Sequence, residues 1–334
     1  MSPRVAVFDL GSSSFSLLVA EVSTAGGLEP VARHRAGVHL GEALGGGSAP
    51  WPVVRQGALR AARGLAKAAE PWAPVRRAAL ATAALRDAPL GASLVEDLSE
   101  ALGLPVFVLS GPAEAALCAF GHHQAIWHDQ RGMVSLDLGG GSLELAVGRH
   151  GRVLASASAP LGAARLAGEL AWRDPLGAAA RRRLERRAAA AVVGWPELIE
   201  RHGVPRDRVV LSGGTAKALA RLATAPVRRQ GSVHQVALSP GELAELARRL
   251  AELPVAERAR LPGMPARRVG TVAPGAAVVS GVVRVLGAGS LVVSEWGLRE
   301  GAAWALGTGR LPELLGDRSA AGRGPLRRAS PVQP

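Results

Sequence analysis

Two short stretches place an aspartate at the head of a turn of small residues: Asp9-Leu-Gly-Ser-Ser-Ser14 and Asp137-Leu-Gly-Gly-Gly-Ser142. Small residues after an acid let main-chain N–H groups and hydroxyls surround phosphate oxygens, so Gly11, Ser12, Ser13 and Ser14, and again Gly139, Gly140, Gly141 and Ser142, are candidate phosphate cradles. Asp9 and Asp137 could hold Mg²⁺, a hard cation that takes carboxylate, water and phosphate oxygens. Taken singly, either stretch is better explained as a hairpin turn stabilised by its aspartate. A third glycine turn, Leu211-Ser-Gly-Gly-Thr-Ala-Lys217, shifts that balance. Gly213 and Gly214 permit close backbone approach ahead of Thr215, and the helix N-terminus behind them favours an anion.

Three further residues have both a chemical and a structural reading. Glu144 lies seven residues beyond Asp137, on one strand face with Ser142 and Ala146 and opposite Leu143, Leu145 and Val147. It points either back toward the turn or into solvent. Glu114, in S-G-P-A-E-A-A-L, falls at the third helical position if Gly111 is the cap, where a carboxylate caps free amides. Glu114, Cys118 and His122 share one helical face, but a transition-metal site wants three or four ligands and a lone helical cysteine is usually core. Arg86 could clamp a phosphate bidentately, although an ion pair with Asp87 is the simpler reading.

The elements that must position these residues follow from the apolar pattern. Arg4–Leu10 and Phe15–Val22 read as strands joined tightly enough to form a hairpin. An Ala/Arg-rich helix to about Glu70, a strand over 76–82, a helix over 90–102 and a strand over 105–109 follow. A helix opened by Pro112 runs to about Trp127, with His122–His123 near its end. At 133–137 the opening pattern returns, and V-F-D-L-G-S-S-S-F-S-L-L-V superimposes on S-L-D-L-G-G-G-S-L-E-L-A-V with the two aspartates aligned. This internal repeat predicts two similar α/β domains, each beginning with a strand–turn–strand.

Composition bounds the rest. With 334 residues, 48% hydrophobic and 20% charged, the chain is globular and long enough for two domains. Its one cysteine, Cys118, excludes an intramolecular disulfide and a thiolate zinc cluster. Asp9 stands where a signal peptide needs its apolar run, and the late apolar stretch 276–294 is interrupted by Arg284 and by glycines. A soluble, cytoplasmic protein without a membrane partner is therefore expected. The formal net charge of +13 would attract polyanions, yet only 3% of residues are aromatic, leaving few platforms for base stacking. Lysine occurs only at Lys67 and Lys217 and asparagine never, so a GC-rich coding sequence accounts for the arginine excess. An anionic substrate fits this charge, and a nucleic-acid duplex is not called for.

In order along the chain, D-L-G-S-S-S-F, A-T-A-A-L-R-D-A, S-G-P-A-E-A-A-L, D-L-G-G-G-S-L-E-L, L-G-A-A-R-L (161–166), S-G-G-T-A-K-A-L-A and G-L-R-E-G (297–301) resemble the exopolyphosphatase/guanosine pentaphosphate phosphohydrolase family, over about residues 4–305. That family belongs to the actin-like ATPase superfamily. The resemblance implies two ribonuclease-H-like domains flanking a cleft, and Mg²⁺-dependent release of a terminal phosphoryl group to water, with Mn²⁺ an acceptable substitute. It makes Glu114 the general base. It places Asp9, Asp137 and Glu144 around metal and phosphate, Arg86 and the two loops on phosphate, and Gly213–Thr215 on the nucleotide side. Polyphosphate or guanosine pentaphosphate is the implied substrate, and relatives often dimerise, which allows a homodimer here. The expected division is 1–118 and 119–315, with 316–334, which has no periodic apolar pattern, as a disordered tail. Several positions depart from the family pattern: Ser13 for Asn, no basic residue at Phe15-Ser16, Ala113 for an acid, Leu143 for Thr and Gly270 for Asp. They keep open the alternative of an alarmone or polyphosphate sensor with little turnover.

Overall fold

The computed structural model describes residues 2–38, 40, 50–87, 90–126, 130–170, 174–225 and 231–315. The chain forms two compact units, the first comprising Met1–Gln124 with the segment that begins at Leu298, the second Ala125–Gly297. A boundary at 118/119 would cut the helix Gly111–Ala125, which runs unbroken through His122 and His123. The C-terminal helix Leu298–Gly307 packs in the first unit, where Ala302, Ala303 and Leu306 join the core of Val5, Val7 and Leu18. The expected tail, 316–334, lies outside the described residues.

In the first unit, β1 (Arg4–Leu10), β2 (Ser14–Val22), β3 (Leu28–Gly37), β4 (Arg76–Ala81) and β5 (Val106–Val108) form one sheet in the order β3-β2-β1-β4-β5. The hairpin strands run antiparallel, and β4 and β5 run parallel to β1. Strand periodicity sorts the side chains between two faces. Ala6, Phe8, Leu10, Phe15 and Leu17 meet the apolar faces of the helices Trp51–Ala69 and Gly91–Leu102. Val5, Val7, Leu18 and Ala20 meet Leu117 and Cys118 of Gly111–Ala125, together with Leu298–Gly307. Those two helices cross closely enough that a Cβ at Gly301 would fall inside 3.0 Å of Leu117 O and Gly121 N. Glu300 is buried there and pairs with Arg33 of β3.

The second unit repeats the design. Here β6 (Met133–Leu138), β7 (Leu143–Arg149), β8 (Arg152–Ala159), β9 (Arg208–Gly213), β10 (Ala237–Leu238) and β11 (Ser290–Val293) lie in the order β10-β11-β9-β6-β7-β8. Again three antiparallel strands are followed by two parallel partners, β9 and β11, and β10 adds antiparallel to β11 at the edge. One face carries Leu136, Leu138, Leu143, Leu145 and Leu211 into the main core, with helices Gly177–Ala191, Pro240–Glu252 and Val272–Leu286. The other face carries Met133 and Val210 near its base and polar residues toward the turn. The predicted internal repeat is thus a repeat of ribonuclease-H-like sheets. It extends to hydrogen bonds: Gly11 N donates to Ser14 O at 3.2 Å, and Gly139 N to Ser142 O at 3.0 Å.

Candidate active site

In the first unit, β1 and β2 pair Asp9 with Ser16 across the turn that carries Gly11–Ser14. Arg35 of β3 lies opposite Ser16 and donates from Nε to its hydroxyl at 3.3 Å. This strand row therefore includes a guanidinium, brought by β3 beside the serine that pairs with Asp9. Asp9 projects from the same sheet face as Val5 and Val7, the face covered by Gly111–Ala125.

Glu114 stands in the first turn of that helix. Its cap is Ser110 rather than Gly111: the Ser110 hydroxyl accepts from Ala113 N at 3.3 Å, and Ser110 O accepts from Glu114 N at 2.9 Å. The serine has taken the capping role, so the Glu114 carboxylate is available for another task. It is 5% exposed and accepts from Arg86 Nη1 at 3.2 Å. The same Nη1 donates to Leu109 O at 2.8 Å, and Arg86 Nε to Asp87 at 3.2 Å. Arg86 thus forms the ion pair expected with Asp87 and, in addition, fixes the glutamate.

The second unit holds the more complete cradle. Helix Ala163–Glu169 begins directly behind the Gly139–Ser142 loop. Ala163 N donates to Gly139 O (3.1 Å), Ala164 N and Arg165 N to Gly140 O (3.0 and 2.9 Å), and Arg165 Nε to Gly141 O (2.9 Å). Three consecutive carbonyls are thereby turned inward. In trans peptides C=O and N–H point in opposite directions, so the amides of Gly140, Gly141 and Ser142 face the other way. Three neighbouring amides aimed together make an anion-binding concavity. This gives a physical role to L-G-A-A-R-L at 161–166. Gly162 must be glycine, because a Cβ there would lie inside 3.0 Å of the Gly140 and Gly141 backbone.

Asp137 and Glu144 are cross-strand partners in the β6–β7 register, placing both carboxylates on one sheet face beside the loop. Glu144 does turn away from the apolar face, but it is buried, at 1% exposure. It accepts from Ser158 Oγ at 3.0 Å, while Asp137 accepts a short hydrogen bond from Ser212 Oγ. The third turn abuts this row. Gly213 has φ +104°, and a Cβ on it would strike Leu138 O. Gly214 lies under the Arg268 guanidinium, whose affinity for its proton is lowered by burial and then by neighbouring Arg267. Thr215 is 1% exposed, and its side chain packs against Gly275, so its hydroxyl is held inside the unit. Arg165, Ser158, Ser212 and Arg268 were not singled out for the site from sequence, since each reaches it through tertiary pairing. Cys118 is core, and among the described residues no group of three or more His, Cys, Asp or Glu side chains is placed to hold a metal ion.

Two sheets of this topology, each with an acid-headed turn of small residues after its first strand, give the chain the actin-like ATPase fold. The sequence profile of the Ppx/GppA phosphatase family matches residues 18–306, and the chain belongs to that family. It is 34% identical over 310 residues to an uncharacterized protein of Streptomyces coelicolor, covering 89% of this chain and 88% of that one. It is 28% identical over 309 residues to exopolyphosphatase 1 of Mycobacterium tuberculosis (89% and 86% covered). Among solved structures, an exopolyphosphatase from Cytophaga hutchinsonii superimposes with a TM-score of 0.81 at 22% identity, covering 92% of this chain and 98% of that one. The Aquifex aeolicus Ppx/GppA family member gives 0.75 at 23% identity, covering 97% and 100%. At these identities the two structures establish the fold.

Proposed function

We propose that the chain is a Mg²⁺-dependent phosphohydrolase that releases terminal orthophosphate from inorganic polyphosphate, with the 5′-phosphate of guanosine pentaphosphate as the alternative target. The observation that carries this reading is the loop at 139–142, whose amides are turned outward beside two carboxylates. The relatives named exopolyphosphatase support polyphosphate as the substrate class, as does a net charge of +13.

The donor set fits Mg²⁺. Asp137 and Glu144 offer hard oxygens from two neighbouring strands, and Mg²⁺ binds through one or two carboxylates while keeping waters and taking substrate phosphate oxygens. Zn²⁺ or Cu²⁺ would ask for a larger nitrogen or sulfur set than the described residues assemble, whereas Mn²⁺ shares the preference for oxygen ligands. When bound, the cation supplies charge neutralisation to the phosphoryl oxygens. Asp137 and Glu144 would hold it, and Asp9, in the matching position of the first repeat, carries the corresponding carboxylate.

The remaining work falls to the chain's own groups. The amides of Gly140, Gly141 and Ser142 hold phosphoryl oxygens without reorganising, because their carbonyls are already anchored. Glu114, oriented by Arg86, takes the proton of the attacking water. Phosphoryl transfer needs positioning and charge stabilisation more than covalent chemistry, so no nucleophilic side chain is required. Orthophosphate release should be measured with Mg²⁺ against short polyphosphate, long polyphosphate and guanosine pentaphosphate. Release from polyphosphate that stops with a chelator and returns with Mg²⁺ is expected. A folded protein releasing phosphate from none of the three would be a binding protein built on this fold.

A further inference from the structure

The strand register puts four polar side chains in one line across the second sheet. Ser212 of β9 pairs with Asp137 of β6, Asp137 with Glu144 of β7, and Glu144 with Ser158 of β8. Directly paired residues project from the same sheet face, so the order Ser–Asp–Glu–Ser is a single row. The two inner members are the acids and the two outer members are hydroxyls. Each hydroxyl donates inward, Ser212 Oγ to Asp137 Oδ1 and Ser158 Oγ to Glu144 Oε1 at 3.0 Å. The rest of the local sequence keeps the row clear. A Cβ at Gly297 would lie 3.0 Å from Ser212 Oγ and 3.9 Å from Asp137 Oδ1, so the glycine that opens G-L-R-E-G leaves the pair its space.

The equivalent row of the first unit is different. It reads Leu80, Asp9, Ser16 and Arg35 across β4, β1, β2 and β3. One acid and one guanidinium stand there around a serine, and an apolar residue occupies the place of Ser212. The first row is charge-balanced in its own side chains, whereas the second gathers two carboxylates with neutral donors outside them. Two like charges on adjacent strands repel. A hydroxyl hydrogen-bonded to one oxygen of each acid restrains its rotation without neutralising the pair. That combination suits a divalent cation, whose ligating carboxylates are themselves oriented by hydrogen bonds.

We infer that Ser212 and Ser158 are positioning residues for the cation, clamping Asp137 and Glu144 from the flanking strands β9 and β8 so that the row acts as one four-residue device. The inference rests on the reading of those two acids as the metal-side carboxylates. The two rows also differ in make-up: two hydroxyls flank two acids in the second unit, whereas the first row holds one acid, one serine and one guanidinium beside a leucine.

The test is Mn²⁺ binding to the full-length protein without substrate, followed by electron paramagnetic resonance, with thermal unfolding of every variant alongside. Ser212→Ala and Ser158→Ala should each weaken Mn²⁺ binding by about tenfold, the lower end of the range for removing a partner of a metal ligand. Ser158→Thr keeps a hydroxyl at an exposed strand position and should retain affinity to within about threefold, since that partner is preserved. Asp137→Asn serves as the control for the underlying reading and should abolish binding. If Asp137→Asn loses Mn²⁺ while both alanine variants bind like wild type, the clamp is refuted and the carboxylate reading stands. If Asp137→Asn also binds like wild type, both fall. A purely structural role would lower the melting temperature and leave affinity unchanged, which again refutes the clamp. Should Ser212→Ala fail to fold, the Ser158→Ala and Ser158→Thr pair decides the question.

Discussion

Replacing Gly162 by alanine probes how the proposed phosphate loop at 139–142 is held. The added methyl would enter the space between the start of Ala163–Glu169 and the Gly139–Ser142 loop, well inside 3.0 Å of backbone atoms of Gly140 and Gly141. Ordinary contact for a Cβ begins near 3.4 Å, so the loop must retreat by about 1 Å or the helix must move away from it. Either shift stretches the four hydrogen bonds from Ala163, Ala164 and Arg165 that anchor the loop carbonyls. A displacement of that size in a positioning element costs on the order of 10²-fold in rate, or roughly 2.7 kcal/mol of transition-state stabilisation. The loss should appear in kcat/KM for orthophosphate release, measured with polyphosphate at fixed Mg²⁺. The second sheet should remain folded, because the methyl meets loop backbone rather than core side chains. A Gly162→Ala protein with kcat/KM within threefold of wild type would show that the loop is not held by this helix, and the outward-amide reasoning would be refuted.

Two other substitutions test the framework. Gly301→Ala drives a methyl into Leu117 O and Gly121 N at the close helix crossing of the first unit. Overpacking of about 1–3 kcal/mol should lower the melting temperature by roughly 2–12 °C in a thermal scan; an unchanged melting temperature would mean the crossing is looser than described. Ser239→Ala removes the hydroxyl half of the capping box of Pro240–Glu252, in which the Glu242 carboxylate accepts from the Ser239 backbone N–H and hydroxyl, and should cost about 1 kcal/mol near neutral pH. Those two bonds, the backbone one first, hold the Glu242 carboxyl below its ordinary value of 4.5. The folded state thus binds its proton less readily than the unfolded one, and this contribution is complete above about pH 4.5 and lost as pH falls through the lowered value. The stability gap between wild type and Ser239→Ala should therefore narrow in acid. A gap that widens below pH 4 would contradict the assignment.

How much of this was legible in the sequence depended on how local each feature is. Both hairpins, the repeat and the faces of Asp137 and Glu144 follow from alternation within a dozen residues. The third strand of each sheet was not anticipated. Leu28–Gly37 (LEPVARHRAG) and Arg152–Ala159 are edge strands with half-exposed, mixed patterns, and they form because a hairpin offers them an unpaired edge. Glu114 shows how fine the margin is. A cap shifted by one residue, from Gly111 to Ser110, removes the capping explanation and leaves the ion pair with Arg86. Ser212 lies 75 residues from Asp137 in sequence, and only the parallel pairing of β6 with β9 joins them. The return of Leu298–Gly307 to the first unit is equally non-local, since its apolar residues fit either core by pattern alone.

Glu114 carries the central claim, and one substitution tests it directly. Orthophosphate release by Glu114→Gln should be compared with wild type at saturating Mg²⁺ and polyphosphate, with polyphosphate binding measured on both proteins. The amide preserves the shape of the site and removes the base, so turnover should fall by about 10²–10⁴-fold while the dissociation constant for polyphosphate stays within a few fold. Undiminished turnover in the folded Glu114→Gln protein would contradict the account.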